Sequence, residues 1–205
     1  MLRFGQGDDL AFNELMVRWQ QPLVRYIYRY VGSRATALDL AQETFVRIFQ
    51  QRHRFKEKLR FSAWLFTIAL NLCRSSHRWQ SRHQTVALEE EQEQESWEAE
   101  SGLLTSSSPA DDASKKELAL VVRSAVQTLP DKLKAVVLLA DYEDLSHHEI
   151  AQMLGCSAKA VETRLYRAHR ILRGKLRDFF FGMHERLERR EPFLDRAAEG
   201  HYEPG

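Results

Sequence analysis

Cationic side chains recur at helical spacing in two separate stretches of this chain, and cations along a helix face bind phosphate groups. In the second stretch, residues 146–173 form a short helical segment, a turn at Gly155 and a longer helical segment. This is the layout of a helix–turn–helix, whose second helix enters the major groove of DNA. Ser146 and Glu149 have the spacing of a capping box, which predicts where the first helix begins.

The second helix of this unit has an apolar face and a cationic face. At about 100° per residue, Leu165, Ala168 and Leu172 fall within about 40° of Val161 and can pack on the first helix. The far face predicts base contacts near its N-terminus and phosphate contacts further along, the alternative being a solvated basic helix in a plain bundle. The predicted base-reading residues are Ser157, Lys159, Ala160, Glu162 and Thr163, and the predicted phosphate-binding residues are Arg164, Arg167 and Arg170.

An earlier segment, residues 61–82, combines cations with aromatic rings. Its apolar stripe leaves Asn71, Arg74 and Arg78 on the opposite face and Trp64 at the boundary. Cations interleaved with flat rings suit single-stranded DNA, because they bind the backbone and stack on bases. The basic loop before it, with Phe55, would offer a pocket for an extruded base. The alternative is that these aromatic residues belong to the hydrophobic core.

The elements that must position these groups are all helical. Apolar residues recur at steps of three and four, with an interruption at Pro22 and with Ser62 as the N-cap of the helix that follows the basic loop. The sequence predicts an all-α protein with two small helical domains, residues 1–85 and residues 115–181. Residues 86–114 are predicted to be a flexible acidic linker, and residues 182–205 a disordered C-terminal tail.

The net charge of +1 conceals a strong segregation of charge along the chain. The first 85 residues carry 14 basic and 6 acidic side chains, whereas residues 86–114 carry 9 acidic and no basic ones. Residues 115–181 are basic again, with 12 basic and 8 acidic side chains. Two basic blocks separated by an acidic strip indicate polyanion binding.

Several other classes are excluded or disfavoured. The sequence has no apolar run of membrane-spanning length and no nucleotide-binding or hydrolase signature, and Cys73 and Cys156 do not make a disulfide framework. A free-standing helix–turn–helix regulator stays open as an alternative. A metal site at His147, His148, Cys156 or His169 is a third hypothesis, although no second close ligand pair supports it. We therefore predict no cofactor, no metal and no catalytic residues.

Four motifs, in order, resemble the extracytoplasmic-function group of bacterial sigma-70 factors. They are residues 7–12 (GDDLAF), residues 38–47 (LDLAQETFVR), residues 61–74 (FSAWLFTIALNLCR) and the helix–turn–helix with its preceding Leu129-Pro130. The resemblance covers about residues 7–85 and 115–178. It implies a cytoplasmic sigma factor that binds core RNA polymerase and directs promoter-specific transcription, with an anti-sigma factor as a further partner.

The resemblance also implies residue roles. The second motif would dock on the clamp helices of the largest polymerase subunit, the basic loop and third motif would recognise and melt the −10 element, and the helix–turn–helix would read the −35 element. The implied core-binding residues are Asp39, Gln42, Glu43 and Val46, and the implied −10 residues are Phe55, Lys58, Arg60, Trp64, Asn71, Arg74 and Arg78.

One feature departs from the family pattern, and two segments leave alternatives open. Glu162 stands where many relatives carry Lys, and a carboxylate accepts from a cytosine amine but repels phosphate. The acidic linker either threads the positively charged RNA-exit channel or is a solvated spacer. The tail is either regulatory or disordered.

Overall fold

Seven α-helices make up most of the chain that the structure, a computed structural model, describes, namely residue 4 and residues 9–55, 60–83 and 109–188. None of these residues forms a strand, so the predicted all-α class is confirmed. A 3-10 turn, Arg52–Arg54, and a π-helical turn, Leu138–Tyr142, complete the described elements. The helices are α1 (Asp9–Val31), α2 (Arg34–Gln50), α3 (Phe61–His83), α4 (Pro109–Gln127), α5 (Asp131–Val137), α6 (His147–Leu154) and α7 (Ala158–Glu188).

Helices α1 to α3 pack together through their apolar faces. Helix α1 runs through Pro22 as one element, so of the two alternatives at this residue, a kink or the start of a new helix, the second is wrong. Leu23 and Ile27, immediately after the proline, are fully buried, and this packing holds the helix together where one backbone hydrogen bond is missing. Helix α2 begins after Gly32, which has a positive φ of 84°, and Ser33 caps it by accepting a hydrogen bond from the Thr36 amide.

Helix α3 begins one residue before the predicted N-cap. Ser62 lies inside the helix and is buried, and the Trp64 amide donates to the Arg60 carbonyl at 3.3 Å, so Arg60 takes the N-cap position. The ring of Phe61 packs edge-on against Trp19, with 5.9 Å between centroids, and this contact accounts for the earlier start. The prediction that Ser62 caps α3 is therefore wrong.

Helix α5 packs against α7 and leads directly into the π-helical turn. Ala135, Val136 and Val137 are buried, as expected for the central helix of a small core. This helix ends in the π-helical turn rather than continuing as regular α-helix to Tyr142. Helix α4 begins at Pro109, inside the predicted linker, and α7 reaches Glu188, inside the predicted tail. The predictions for the rest of the linker and tail, residues 84–108 and 189–205, lie outside the described residues.

The N-terminal and C-terminal helices share one hydrophobic cluster. The C-terminal end of α1 contacts α4 and the π-helical turn, and α3 contacts α6. Tyr28 and Tyr30 of α1 are buried. Val126 of α4 and Leu129, which lies between α4 and α5, are buried as well. The two basic blocks of the sequence thus lie against each other. In the described helices, no stretch combines the length and the apolarity that a bilayer crossing requires.

Candidate nucleic-acid interface

The helix–turn–helix is built by local signals that the sequence carries. The Ser146 hydroxyl accepts from the Glu149 amide at 3.3 Å, and the Glu149 carboxylate accepts from the Ser146 amide at 2.9 Å, so the predicted capping box is confirmed. Gly155 ends α6 with a left-handed φ of 61°. Ser157 then accepts from the Ala160 amide at 3.2 Å and begins α7. These caps fix the angle between the two helices.

Helix α7 buries one face and presents the other to solvent. Val161, Leu165 and Ala168 are buried, as the helical projection predicts. The opposite face carries Arg167 and Arg170, both exposed. All eight residues predicted to contact duplex DNA lie on the first four turns of α7 or at its start, and all but Ala160 and Arg164 are exposed. The geometry is that of a recognition helix.

Five of the predicted DNA-contacting side chains already have protein partners, and for Ser157 and Thr163 these are backbone groups of α7 itself. The Lys159 ammonium donates to the Glu162 carboxylate at 2.8 Å, and both side chains are largely exposed, at 80% and 55%. The hydrogen bond from Lys159 lowers the pKa of Glu162, which keeps this carboxylate ionised. Arg164 contacts the Cys156 sulfur at 3.4 Å, which holds its guanidinium against the turn.

Aromatic rings cluster at the start of α3, where the −10 prediction places them. The rings of Phe55 and Trp64 have centroids 5.3 Å apart, and Phe61 lies 6.2 Å from Trp64. All three are partly exposed, whereas Phe66 is buried against Tyr26. The alternative that the aromatics are core residues therefore applies fully to Phe66 and in part to Phe61 and Trp64, which are partly buried against the core.

Two cations of this second surface lie beside carboxylates of the C-terminal helices. Arg74 on α3 donates to Asp131 at the start of α5, with 3.1 Å between Nε and Oδ2. Arg60 lies 3.5 Å from Glu149 of α6. Asn71 and Arg78, further along the same face, are exposed. Lys58, in the basic loop, lies outside the described residues.

The predicted core-binding residues share the outer face of α2. Asp39, Gln42 and Val46 are exposed, Val46 to 48%. Glu43 is partly exposed, and its carboxylate accepts a hydrogen bond from Arg47 at 2.7 Å. Thr44 and Ile48 point the other way and are buried. The structure therefore brings the four predicted residues together on one accessible surface.

The histidines proposed as metal ligands have other neighbours. His169 lies 2.7 Å from Asp141 Oδ2, and His148 lies 2.9 Å from Gln152. The part of the chain that the structure describes holds no group of three His, Cys, Asp or Glu side chains placed to bind a metal ion. The geometry gives the metal-site hypothesis no support.

Comparison with known families decides the classification. Residues 15–83 match Sigma-70 region 2 and residues 119–172 match Sigma-70 region 4, which together span more than half of the chain. The chain is a sigma factor of the sigma-70 family, extracytoplasmic-function group. The region 2 match contains α2, α3 and the basic loop, and the region 4 match contains the helix–turn–helix.

This sigma factor is similar to relatives along most of its length. It is 29% identical over 174 residues to the ECF RNA polymerase sigma-E factor of Haemophilus influenzae, covering 85% of this chain and 92% of that protein. The Escherichia coli K12 sigma-E factor is also 29% identical, with coverage of 85% and 91%. As a sigma factor, the chain directs promoter-specific transcription initiation by core RNA polymerase.

Solved structures share the fold of this sigma factor. CnrH, in a complex with the cytosolic domain of CnrY, superposes with a TM-score of 0.64 and 26% identity, covering 86% of this chain and 94% of CnrH. The sigma factor RpoE of Bartonella quintana, in a complex with the anti-sigma factor NepR, superposes with a TM-score of 0.62 and 20% identity, covering 82% and 97%.

The helical projection also places Tyr166 on the cationic face of α7, and its side chain is 63% exposed there. One feature of the sigma factor's surfaces escaped sequence reasoning. Asp131, which engages Arg74, looked like nothing more than a helix boundary beside Pro130. No local signal identifies such a partner, because 57 residues separate the two side chains.

Proposed function

We propose that this sigma factor divides promoter recognition between two helices. Helix α7 reads the −35 element, α3 and the basic loop recognise and melt the −10 element, and the outer face of α2 docks on core RNA polymerase. The observation that carries this proposal is the presence, in one chain, of regions 2 and 4, each with a cationic helix whose apolar face is buried.

The division follows from what each surface offers to DNA. The exposed arginines of α7 suit the phosphates of a duplex, and the residues at its N-terminus suit base edges in the major groove. The three rings at the start of α3 suit unstacked bases, because aromatic stacking is worth ~1–3 kcal/mol per base. Trapping flipped bases offsets the cost of unstacking them, which is a few kcal/mol.

Both surfaces must act together on polymerase. Neither needs to bind DNA tightly by itself, because tethering on a common platform raises the effective concentration of each at its element. We assign the sigma factor a binding role and not a catalytic one, and a cytoplasmic location, where polymerase acts. The complexes formed by CnrH and by the Bartonella RpoE support a further partner, an anti-sigma factor that inhibits this chain.

Reconstituted transcription tests the proposal. Transcription starts mapped after overexpression supply a promoter, and core polymerase is then assayed on it with and without the purified chain. We expect initiation only with the chain. A gel shift of the purified chain, with and without core, tests the alternative that the chain is a free-standing helix–turn–helix regulator. That alternative predicts that the chain binds duplex DNA without core, as a dimer on a palindrome.

Three matched variants test the division of roles. Arg167→Ala should weaken promoter binding while core binding is retained, and Trp64→Ala should slow melting without affecting the −35 contact. Val46→Glu, at an exposed position, should weaken core binding alone. Loss of core binding in the Arg167→Ala chain would contradict the role given to α7.

A further inference from the structure

One large aromatic side chain of α3 lies beyond the hydrophobic core. Trp79, near the C-terminal end of the helix, is 54% exposed. Among the α3 side chains that the structure describes beyond Cys73, none is buried, so this end of the helix continues past the core. Single exposed apolar side chains are common on protein surfaces, and the surroundings decide whether one of them has a role.

Trp79 lies on the side of α3 that the proposed function gives to −10 DNA. At about 100° per residue, it falls about 60° from Trp64 around the helix axis, and Asn71, Ser75 and Arg78 fall within about 40° of Trp64. The last three of these side chains are exposed. The indole of Trp79 therefore continues the same surface towards the C-terminal end of the helix.

The two ends of this surface differ in chemistry. At the start of α3, the centroids of two phenylalanine rings lie 5.3 Å and 6.2 Å from that of Trp64, and such a ring cluster suits unstacked bases. Trp79 instead follows two polar, exposed side chains, Ser75 and Arg78. The Arg78 guanidinium donates to the Arg74 carbonyl at 3.3 Å and to the Ser75 hydroxyl at 3.5 Å, so it lies along the helix surface. A flat ring with an N–H donor, next to a cation in sequence, suits the sugars and phosphates of a DNA backbone.

The spacing along α3 indicates which part of the promoter Trp79 faces. Trp79 lies ~22 Å beyond Trp64, at about 1.5 Å per residue. Paired DNA rises by about 3.4 Å per base pair, so this distance corresponds to about six base pairs. From the C-terminal end of α3 the chain leads on to α7, which the proposed function places on the −35 element. Because the −35 element lies upstream of the −10 element, Trp79 is at the upstream end of the α3 surface.

We propose that Trp79 is a further DNA-contacting residue, which packs its indole on the backbone of paired promoter DNA upstream of the melted segment. Arg78 binds a phosphate of the same stretch. Because this DNA is paired before and after melting, the contact forms before melting and persists after it. Trp79 thus contributes to promoter affinity, whereas the ring cluster contributes to melting. The inference rests on the proposed function, which places α3 on the −10 region.

Photocrosslinking tests the position of this contact directly. p-Benzoylphenylalanine replaces Trp79 in one full-length chain and Trp64 in a second, and each chain is assembled with core polymerase on the mapped promoter. We expect crosslinks from position 79 in paired DNA, about six base pairs upstream of the crosslinks from position 64. Crosslinks from position 79 to polymerase alone, or to bases of the melted segment, would overturn the proposal.

Binding measurements separate the contact from the ring cluster. Holoenzyme with the wild-type, Trp79→Ala or Trp64→Ala chain is assayed on the fully paired promoter, kept cold so that it does not melt, and on a single-stranded oligonucleotide of the melted segment. We expect Trp79→Ala to weaken binding to the paired promoter about tenfold and to leave binding to the oligonucleotide unchanged. Trp64→Ala should do the reverse. Equal binding of the wild-type and Trp79→Ala holoenzymes to the paired promoter would overturn the proposal.

Two further variants test whether the ring itself makes the contact. Trp79→Phe keeps an aromatic ring and should retain most of the affinity for the paired promoter. Trp79→Ala should leave the log–log salt slope unchanged, because an indole displaces no counterion, whereas Arg78→Ala should reduce the slope by ~0.9. A reduced slope in the Trp79→Ala chain would mean that the change acts through neighbouring cations, which contradicts a contact by the ring.

Val17→Ala is the matched control, because Val17 is an apolar residue of α1 that is 80% exposed and lies outside the α3 surface. The control holoenzyme should bind both DNAs as the wild type does. Core-dependent transcription by the wild-type chain is measured alongside. Its absence would contradict the proposed function, whereas normal transcription together with full promoter affinity in the Trp79→Ala chain would contradict only the role given to Trp79.

Discussion

The two cationic helices differ in what their charges contact. On α7, Arg167 and Arg170 are exposed along a face that no other described helix covers, and the one ion pair on that face is local, between Lys159 and Glu162. On α3, by contrast, Arg74 is held by a carboxylate from a distant part of the chain. The arginines of the α7 face are directed to solvent, whereas Arg74 of α3 is paired across the boundary between the domains.

This difference matches the two kinds of DNA that the surfaces are proposed to bind. Duplex DNA is present before polymerase acts, so an open α7 can search for the −35 element by phosphate contacts. Single-stranded −10 DNA arises only in the promoter complex.

The largest effect is expected on the open helix. The double change Arg167→Ala/Arg170→Ala removes two duplex phosphate contacts, each worth about tenfold in affinity at ~0.1 M salt and ~0.9 in the salt slope. We expect polymerase holoenzyme carrying this variant to bind promoter DNA about 100-fold more weakly, measured by filter binding across a salt series.

Lys175→Ala is the matched control for this prediction. Lys175 is exposed on α7 more than a turn beyond Arg170, away from the predicted base-reading end. Its removal should change binding by no more than a few-fold. A loss as large as that of the double variant would mean that α7 binds DNA by net charge and not through its central face.

The open helix is the part of the molecule that its sequence predicts best. Ser146 and Glu149 form the capping box expected of them, Gly155 adopts the left-handed turn, and Val161 is buried as its helical phase requires. All of these signals act over a few residues. A local pattern is sufficient when the structure that it specifies is itself local.

The α3 surface shows the limit of prediction from local sequence patterns. The helical projection placed Arg74 on the face opposite the apolar stripe, but it carries no information on Asp131, which arrives from another domain. The π-helical turn that brings Tyr142 to Arg29 is likewise invisible in a run of apolar residues. Pro22 does not divide α1 into two helices, because tertiary packing outweighs the local cost of a proline inside the helix.

A smaller effect is expected from pH, which acts on the stability of the fold through Glu143. Burial raises the pKa of Glu143 to about 7, against the lowering influence of Arg29, 4.0 Å away, and of Arg25. Asp144 adds to the rise. Because the folded chain holds a proton that a solvated carboxyl of the unfolded chain would release, this group favours the folded form at low pH. The stabilisation is lost as the pH rises towards and past 7.

Between pH 8 and pH 6 this group should raise the ratio of folded to unfolded chain about tenfold, because pH 6 lies about one unit below its raised pKa. Chemical denaturation at the two pH values measures the ratio for the wild type and for the Glu143→Gln chain. We expect Glu143→Gln to remove this part of the pH dependence. An equal dependence in both chains would contradict the role given to Glu143.

The smallest effect concerns the local ion pair on the open helix. Glu162→Gln should release Lys159 to contact phosphate and raise holoenzyme affinity for mixed-sequence duplex about threefold, because an exposed pair is weak and easily broken. The same change exchanges one carboxylate oxygen for an amide donor and leaves a weaker, uncharged acceptor for a cytosine amine, so discrimination between the mapped −35 element and its variants should decrease. In the Lys159→Ala/Glu162→Gln chain the gain in affinity should disappear while the loss of discrimination remains. If discrimination is unchanged in both chains, Glu162 restrains Lys159 and reads no base.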